Sequence, residues 1–191
     1  MPDHGLATMR RIAVVGSTGS GKTTMARALC RRLGVPHVEL DALHWEPNWT
    51  EAQDDVFRAR LAAALDAADA SADGWTTDGN YKQVRPLLWA RADTVVWLDY
   101  PLPVILNRLL RRTVRRTLTQ EELWSGNRER LVGAFFTRNS ILWWAITTYQ
   151  RRRRDYPVLL ARPEHAHLRV VHLRAPREAD RWLEAVPTAV P

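Results

Sequence analysis

Residues 16–23 read GSTGSGKT, and the fold turns on how this stretch is read. It follows Ile12 to Val15, a short β-branched run that reads as a strand, and precedes Thr23 to Leu33, a helix-like segment that stops at Gly34. The spacing is G-x-x-x-x-G-K-[ST], in the strand-to-helix context that gives the pattern its meaning. Gly16, Gly19 and Gly21 allow the backbone to aim N–H groups at phosphate oxygens, and the helix N-terminus adds partial positive charge. The expected phosphate cradle is Gly16, Ser17, Thr18, Gly19, Ser20, Gly21, Lys22, Thr23 and Thr24. Lys22 is expected at the β- and γ-phosphates and the Thr23 hydroxyl on magnesium. The chain has only two lysines, Lys22 and Lys82, and one falls where such a loop needs it.

Beyond the loop, 191 residues at 46% hydrophobic content suffice for one core, so a single domain over 1–191 is expected, with residues 1–8 a loose tail. One cysteine, Cys30, leaves no internal disulfide or multi-cysteine zinc site and suits a reducing compartment. No run approaches the ~20 apolar residues of a membrane span and no secretory signal precedes the first strand, so a cytoplasmic protein without a membrane partner is expected. The net charge of +7 fits nucleic acid, an acidic surface or polyphosphate, without choosing among them.

Strand patterns recur at Val35–Leu40, Trp75–Asp78, Thr94–Leu98 and Leu168–Leu173. Helical patterns lie at Glu51–Ala70, Val104–Thr119, Arg128–Arg154 and Arg177–Ala185, the third closing at Asp155, Tyr156 and Pro157. This alternation predicts an α/β fold, a doubly wound parallel sheet with helices on both faces.

Asp78 ends one strand in WTTDGNY, where a carboxylate at the carboxyl edge of the sheet could hold magnesium or merely form the turn before Gly79. Asp99 ends another, as a weaker candidate of the same kind. Arg108 and Arg112 share a helix face, with Arg111, Arg115 and Arg116 beside them, in a region where eight arginines face three acids between 108 and 138. Closure on phosphates is the expected use of at least two of them. The RRRR run at 151–154 reads as a charge cluster at a helix end.

In the order of its pieces the chain resembles the adenylate-kinase-like group of P-loop kinases. D-x-L-x-W-x-P-N-W (Asp41–Trp49), DGNY (Asp78–Tyr81) and the R-x-x-x-R helix are similar to a family of DNA topology modulation and adenylate-kinase-related proteins. The resemblance implies a P-loop NTPase fold with a five-stranded sheet of order 2-3-1-4-5, a short basic lid with flanking helices over about 104–138, and phosphoryl transfer from ATP with Mg²⁺. It implies catalytic roles for Lys22, Arg108 and Arg112, and places Arg128 and Arg130 in the lid. DGNY lacks the Pro-Arg with which adenylate kinases hold AMP, which puts AMP in doubt as the acceptor.

Shikimate-kinase-like enzymes carry D-x-D where this chain has Glu39-Leu40-Asp41. On a strand both acids would point the same way, toward the ligand edge of the sheet. Asp41 is then the expected partner of an attacking hydroxyl, and Glu39 supports the metal beside Thr23 and Asp78; solvated acids at a strand end are the alternative. His44, Trp45, Gly79, Asn80, Arg116 and Arg128 complete the candidate substrate side, with packing as the alternative for His44 and the indoles. The expected activity is an ATP-dependent kinase for a small acceptor, nucleoside, nucleotide or other hydroxylated metabolite. The alternative is a nucleic-acid-associated nucleotide switch, for which no DNA-binding motif is present.

Overall fold

A computed structural model describes residues 9–119, 121–127 and 141–189, with only the backbone described at 141–145. The expectations at 1–8, for the lid at 128–138 and for Arg128 and Arg130 lie outside the described residues.

Five strands, β1 (Arg11–Gly16), β2 (His37–Glu39), β3 (Trp75–Asp78), β4 (Thr94–Leu98) and β5 (Arg169–Leu173), form one sheet of order β2-β3-β1-β4-β5, parallel at every pairing. This is the expected 2-3-1-4-5 order. The helices are α1 (Lys22–Leu33), α2 (Leu40–His44), α3 (Asp54–Ala72), α4 (Arg85–Arg91), α5 (Leu102–Thr119), α6 (Ile141–Leu160) and α7 (Pro176–Ala185).

Alternation along β1 builds a core on each face. Ala13 and Val15 face Phe57, Leu61 and Leu65 of α3 and Trp89 of α4, whereas Ile12 and Val14 face Met25 and Leu29 of α1, Ile105 of α5 and Ala179 of α7. Both layers are needed because β1, at the centre of a parallel sheet, has no solvent face.

Helix α6 meets both cores, Tyr149 in one and Tyr156 in the other. The residues between them therefore pass the carboxyl edge of the sheet beside β4, where Arg153 pairs with Asp99 at 3.0 Å. The helix also runs beyond the expected stop, with Pro157 inside it. Pro157 removes one helical hydrogen bond. Buried Tyr156, packed on Trp89 and Trp97 with its hydroxyl on Asn80, holds the chain helical past that point. The RRRR run is thus internal to a helix, not at its end.

Two further departures shape the site. The expected strand 35–40 ends at Glu39, paired with Asp78, the last residue of β3. Without a partner beyond it, the backbone closes its own hydrogen bonds as α2. A two-stranded ribbon follows, Trp45–Glu46 antiparallel to Thr50–Glu51. Helix α4 has no periodic signal because it is only seven residues long; buried Leu88 and Trp89 hold it. Among the described residues no helix is long and apolar enough to cross a membrane.

Candidate active site

The loop between β1 and α1 has the conformation its glycines allow. Gly19 (φ 84°) and Gly21 (φ 95°) are left-handed, and a Cβ on Gly19 would stand 2.9 Å from the Ile105 carbonyl. Ser20 N donates to Ser17 O at 3.0 Å, and the Ser20 hydroxyl is buried without a protein partner. Ser17 is buried, Thr18 partly exposed and Thr24 exposed. The Lys22 ammonium is drawn back inside the loop, 3.3 Å from Ser17 O. Its pKa is lowered to about 8, first by burial and then by the positive charge of Arg152, with Arg112 adding to it against Asp78 and Asp41.

Three arginines therefore attend the loop. Arg108 donates to Ser20 O at 3.0 Å and lies over the Tyr100 ring, Arg112 faces Lys22 one turn along α5, and Arg152 arrives from α6. Burial, with Arg151 and Arg85 nearby, lowers the pKa of Arg152. Arg116 is near Glu121, at 3.8 Å. In the sequence Arg152 is one member of a charge cluster read at a helix end, because RRRR carries no periodic clue to which member turns inward.

Across from these cations sit the acids. Asp78 accepts from the Thr23 hydroxyl at 2.5 Å and lies 2.8 Å from His37 Nε2. Burial pushes its pKa up, but the His37 and Thr23 hydrogen bonds and the His37 and Lys22 charges outweigh it and hold Asp78 ionised below the usual range. His37 escaped the sequence reading, although its place two residues before Glu39 on β2 puts both on one side. Thr23 and Asp78 supply adjacent hard oxygen donors, a pair that fits Mg²⁺. Glu39 stands in register with Asp78 but is paired with Arg27 at 3.3 Å. Among the described residues no three His, Cys, Asp or Glu side chains form a metal cage, so a bound ion would keep waters or phosphate oxygens as ligands.

Asp41 reaches the site by another route than the expected strand alternation: it is on the first turn of α2, and its carboxylate accepts from the Tyr81 hydroxyl at 2.5 Å. Burial raises its pKa, the Tyr81 bond and Lys22 oppose this, and Asp78 and Glu39 add to it. Tyr81, which the sequence reading passed over, is in turn pushed far up by burial and by Asp41.

Asn80 and His44 have structural partners. The Asn80 amide bonds both ways with the Gly16 backbone, donating to its O at 2.5 Å and accepting from its N at 3.1 Å, and so pins the loop's start. Gly79 N donates to Val14 O. His44 is buried among Trp45, Phe57 and Tyr81 at 4.4–5.0 Å between ring centres, and burial lowers its pKa. Trp45 packs edge-on against Trp49. Asp99 is taken up by Arg153 and His172 rather than by the loop.

A phosphate loop at the carboxyl edge of a five-stranded parallel sheet, with a threonine–aspartate pair beside it, defines a P-loop nucleotide-binding α/β domain. A family model described as AAA domain matches residues 12–130, more than half of the chain, and the protein belongs to that family. Two curated relatives are shikimate kinases, from Thermosynechococcus vestitus (30% identity over 58% of this chain) and Synechococcus sp. (29% over 59%). The chain spans 65% and 63% of their lengths. Similar solved structures include a sugar kinase from Janibacter sp. (TM-score 0.51, 24% identity, covering 95% of this chain and 99% of that one). Another is a shikimate kinase from Acinetobacter baumannii in complex with shikimate (TM-score 0.52, 19% identity, covering 96% and 94%). At these identities the structural likeness is one of fold.

Proposed function

We propose that the protein is an ATP-dependent phosphotransferase that moves the γ-phosphoryl group to a hydroxyl of a small polar acceptor. The observation that carries this reading is the convergence of Lys22, Arg108, Arg112 and Arg152 on the phosphate cradle, opposite the half-buried carboxylate Asp41. The names of the curated shikimate kinases and of the sugar kinase point to the same class of chemistry. The lid-hinge arginines, Arg108 and Arg112, carry the likeness to adenylate kinases.

In the proposed reaction the acceptor hydroxyl is held on Asp41, which takes its proton as the new O–P bond forms. The β–γ bridging P–O bond breaks and ADP leaves. Lys22 and the arginines neutralise the charge spread over the transferring group. Mg²⁺, when bound at Thr23 and Asp78, would supply further charge neutralisation at the β- and γ-phosphate oxygens. The raised pKa of Asp41 makes it a stronger base than an exposed carboxylate once it is ionised.

Release of ADP measured against a panel of shikimate, gluconate, other sugars, nucleosides and AMP tests this. Turnover that rises with one hydroxylated acceptor is the expected result; ADP release that no acceptor increases sinks the reading.

Nucleotide affinity should also depend on pH. Phosphate anions beside Lys22 raise its pKa in the complex above the value of about 8 in the free protein. ATP binding is therefore strongest below pH 8 and weakens above it, by up to about tenfold per pH unit until the complex itself titrates. Titration of ATP binding from pH 7 to 10 checks this, and a flat profile contradicts it.

A further inference from the structure

Among the described residues, left-handed backbone outside glycine is concentrated at one seam. Asn48 (φ 60°), Trp49 (φ 55°) and Ser125 (φ 56°) all lie there, and the fourth such residue, Asp73, is the ordinary end of α3. Two consecutive left-handed residues, the second an indole, persist only when the surroundings hold them. Here the holder is Asn127, a buried residue that follows the turn at 124–126. Its Oδ1 accepts from Trp49 N at 2.8 Å, and its Nδ2 donates to Glu46 O and Trp124 O, both at 2.9 Å. Ser125 Oγ adds a bond to Trp45 O at 2.7 Å. A carboxylate could not donate, an ammonium could not accept and a hydroxyl has one proton to give, so two donated bonds and one accepted call for an amide.

The gripped ribbon leads back to the chemistry. Trp49 packs on Trp45, Trp45 on His44, and His44 on Tyr81, whose hydroxyl holds Asp41. We infer that Asn127 is a positioning residue for the acceptor side: it locks the 45–51 ribbon in its strained form and so fixes the aromatic stack behind Asp41. The inference rests on the phosphotransfer reading for its kinetic consequence, though not for the clamp itself. The bonds of Asn127 go to the ribbon and to its own turn at 123–124, whereas the phosphate side is built on β1, α1, α5 and α6.

Asn127→Ala is the test, with three readouts. Backbone amide exchange across residues 44–52 should accelerate about tenfold or more while β1 is unchanged, because the Trp49 N–H loses its acceptor. With shikimate or gluconate, whichever the unmodified protein turns over, the acceptor KM should rise about tenfold and ATP affinity should stay within about twofold. Adding Asn48→Gly, which removes the cost of one left-handed residue, should restore most of the acceptor KM. Unchanged exchange in Asn127→Ala overturns the clamp, and faster exchange with unaltered acceptor kinetics overturns its link to the site. An Asn127→Ala defect that Asn48→Gly leaves untouched shows that holding the turn is not what Asn127 does. The exchange measurement needs no acceptor, so failure of the phosphotransfer reading is told apart from failure of the clamp.

Discussion

Lys22→Met should reduce acceptor-dependent ADP release by about a thousandfold or more, while leaving a folded protein of equal or greater stability. Methionine keeps the unbranched apolar stem, so the loss is that of the ammonium alone. That ammonium is drawn inside the loop with Arg152 and Arg112 beside it, and its pKa falls from 10.5 to about 8. The displacement corresponds to about 3 kcal/mol of strain in the charged state. Because the folded pKa is below the unfolded one, the unfolded chain binds more protons between pH 8 and 10.5, and stability rises with pH over that window. At pH 7 the full cost is present in the unsubstituted protein and absent from Lys22→Met. Thermal denaturation at pH 7 and pH 10 should therefore show a gap between the two proteins that narrows on going to high pH. A variant that is stable and inactive separates the chemistry of Lys22 from its fold, whereas turnover within about tenfold of the unsubstituted protein would remove Lys22 from the reaction.

The second large effect belongs to Asp41. Asp41→Asn retains an oxygen to accept from the Tyr81 hydroxyl but cannot take a proton, and the turnover number should fall by about 10²–10³ with ATP affinity preserved. The pH profile offers a finer test. Asp41 must be ionised to act, so activity is lost as pH falls through its raised pKa. Tyr81→Phe deletes the hydrogen bond that favours the ionised form, so the acid limb should move to higher pH. If Asp41→Asn leaves acceptor-dependent turnover intact, the base lies elsewhere. If Tyr81→Phe moves the limb the other way, the hydroxyl does not act through Asp41.

The two sides of this site were unequally legible. GSTGSGKT carries its meaning in local spacing, since a loop that wraps phosphate needs its glycines, lysine and threonine within eight consecutive residues. Asp41 comes beside Lys22 and Asp78 by a route that strand alternation does not supply. The strand on which alternation would have aligned it with Glu39 stops at Glu39, where β3 also ends, and a helical turn delivers its carboxylate to Tyr81 instead. Asn80, expected beside substrate, bonds both ways to the Gly16 backbone. Its two-way amide bonding is invisible until residues 64 apart in sequence are placed together.

What the sequence by itself determined is therefore the architecture and the phosphate cradle: period-2 apolar runs, helices between them, and a glycine-spaced loop at the first strand's end. Tertiary structure alone decided which charges face one another. It chose Arg152 from a run of four arginines because α6 is anchored in both cores, through Tyr149 and Tyr156, and turns that side chain toward Lys22. It likewise joined Asn127 to a ribbon some 80 positions earlier. Local patterns encode backbone periodicity and turn chemistry, whereas the facing of side chains across elements is set by packing, which no short stretch contains.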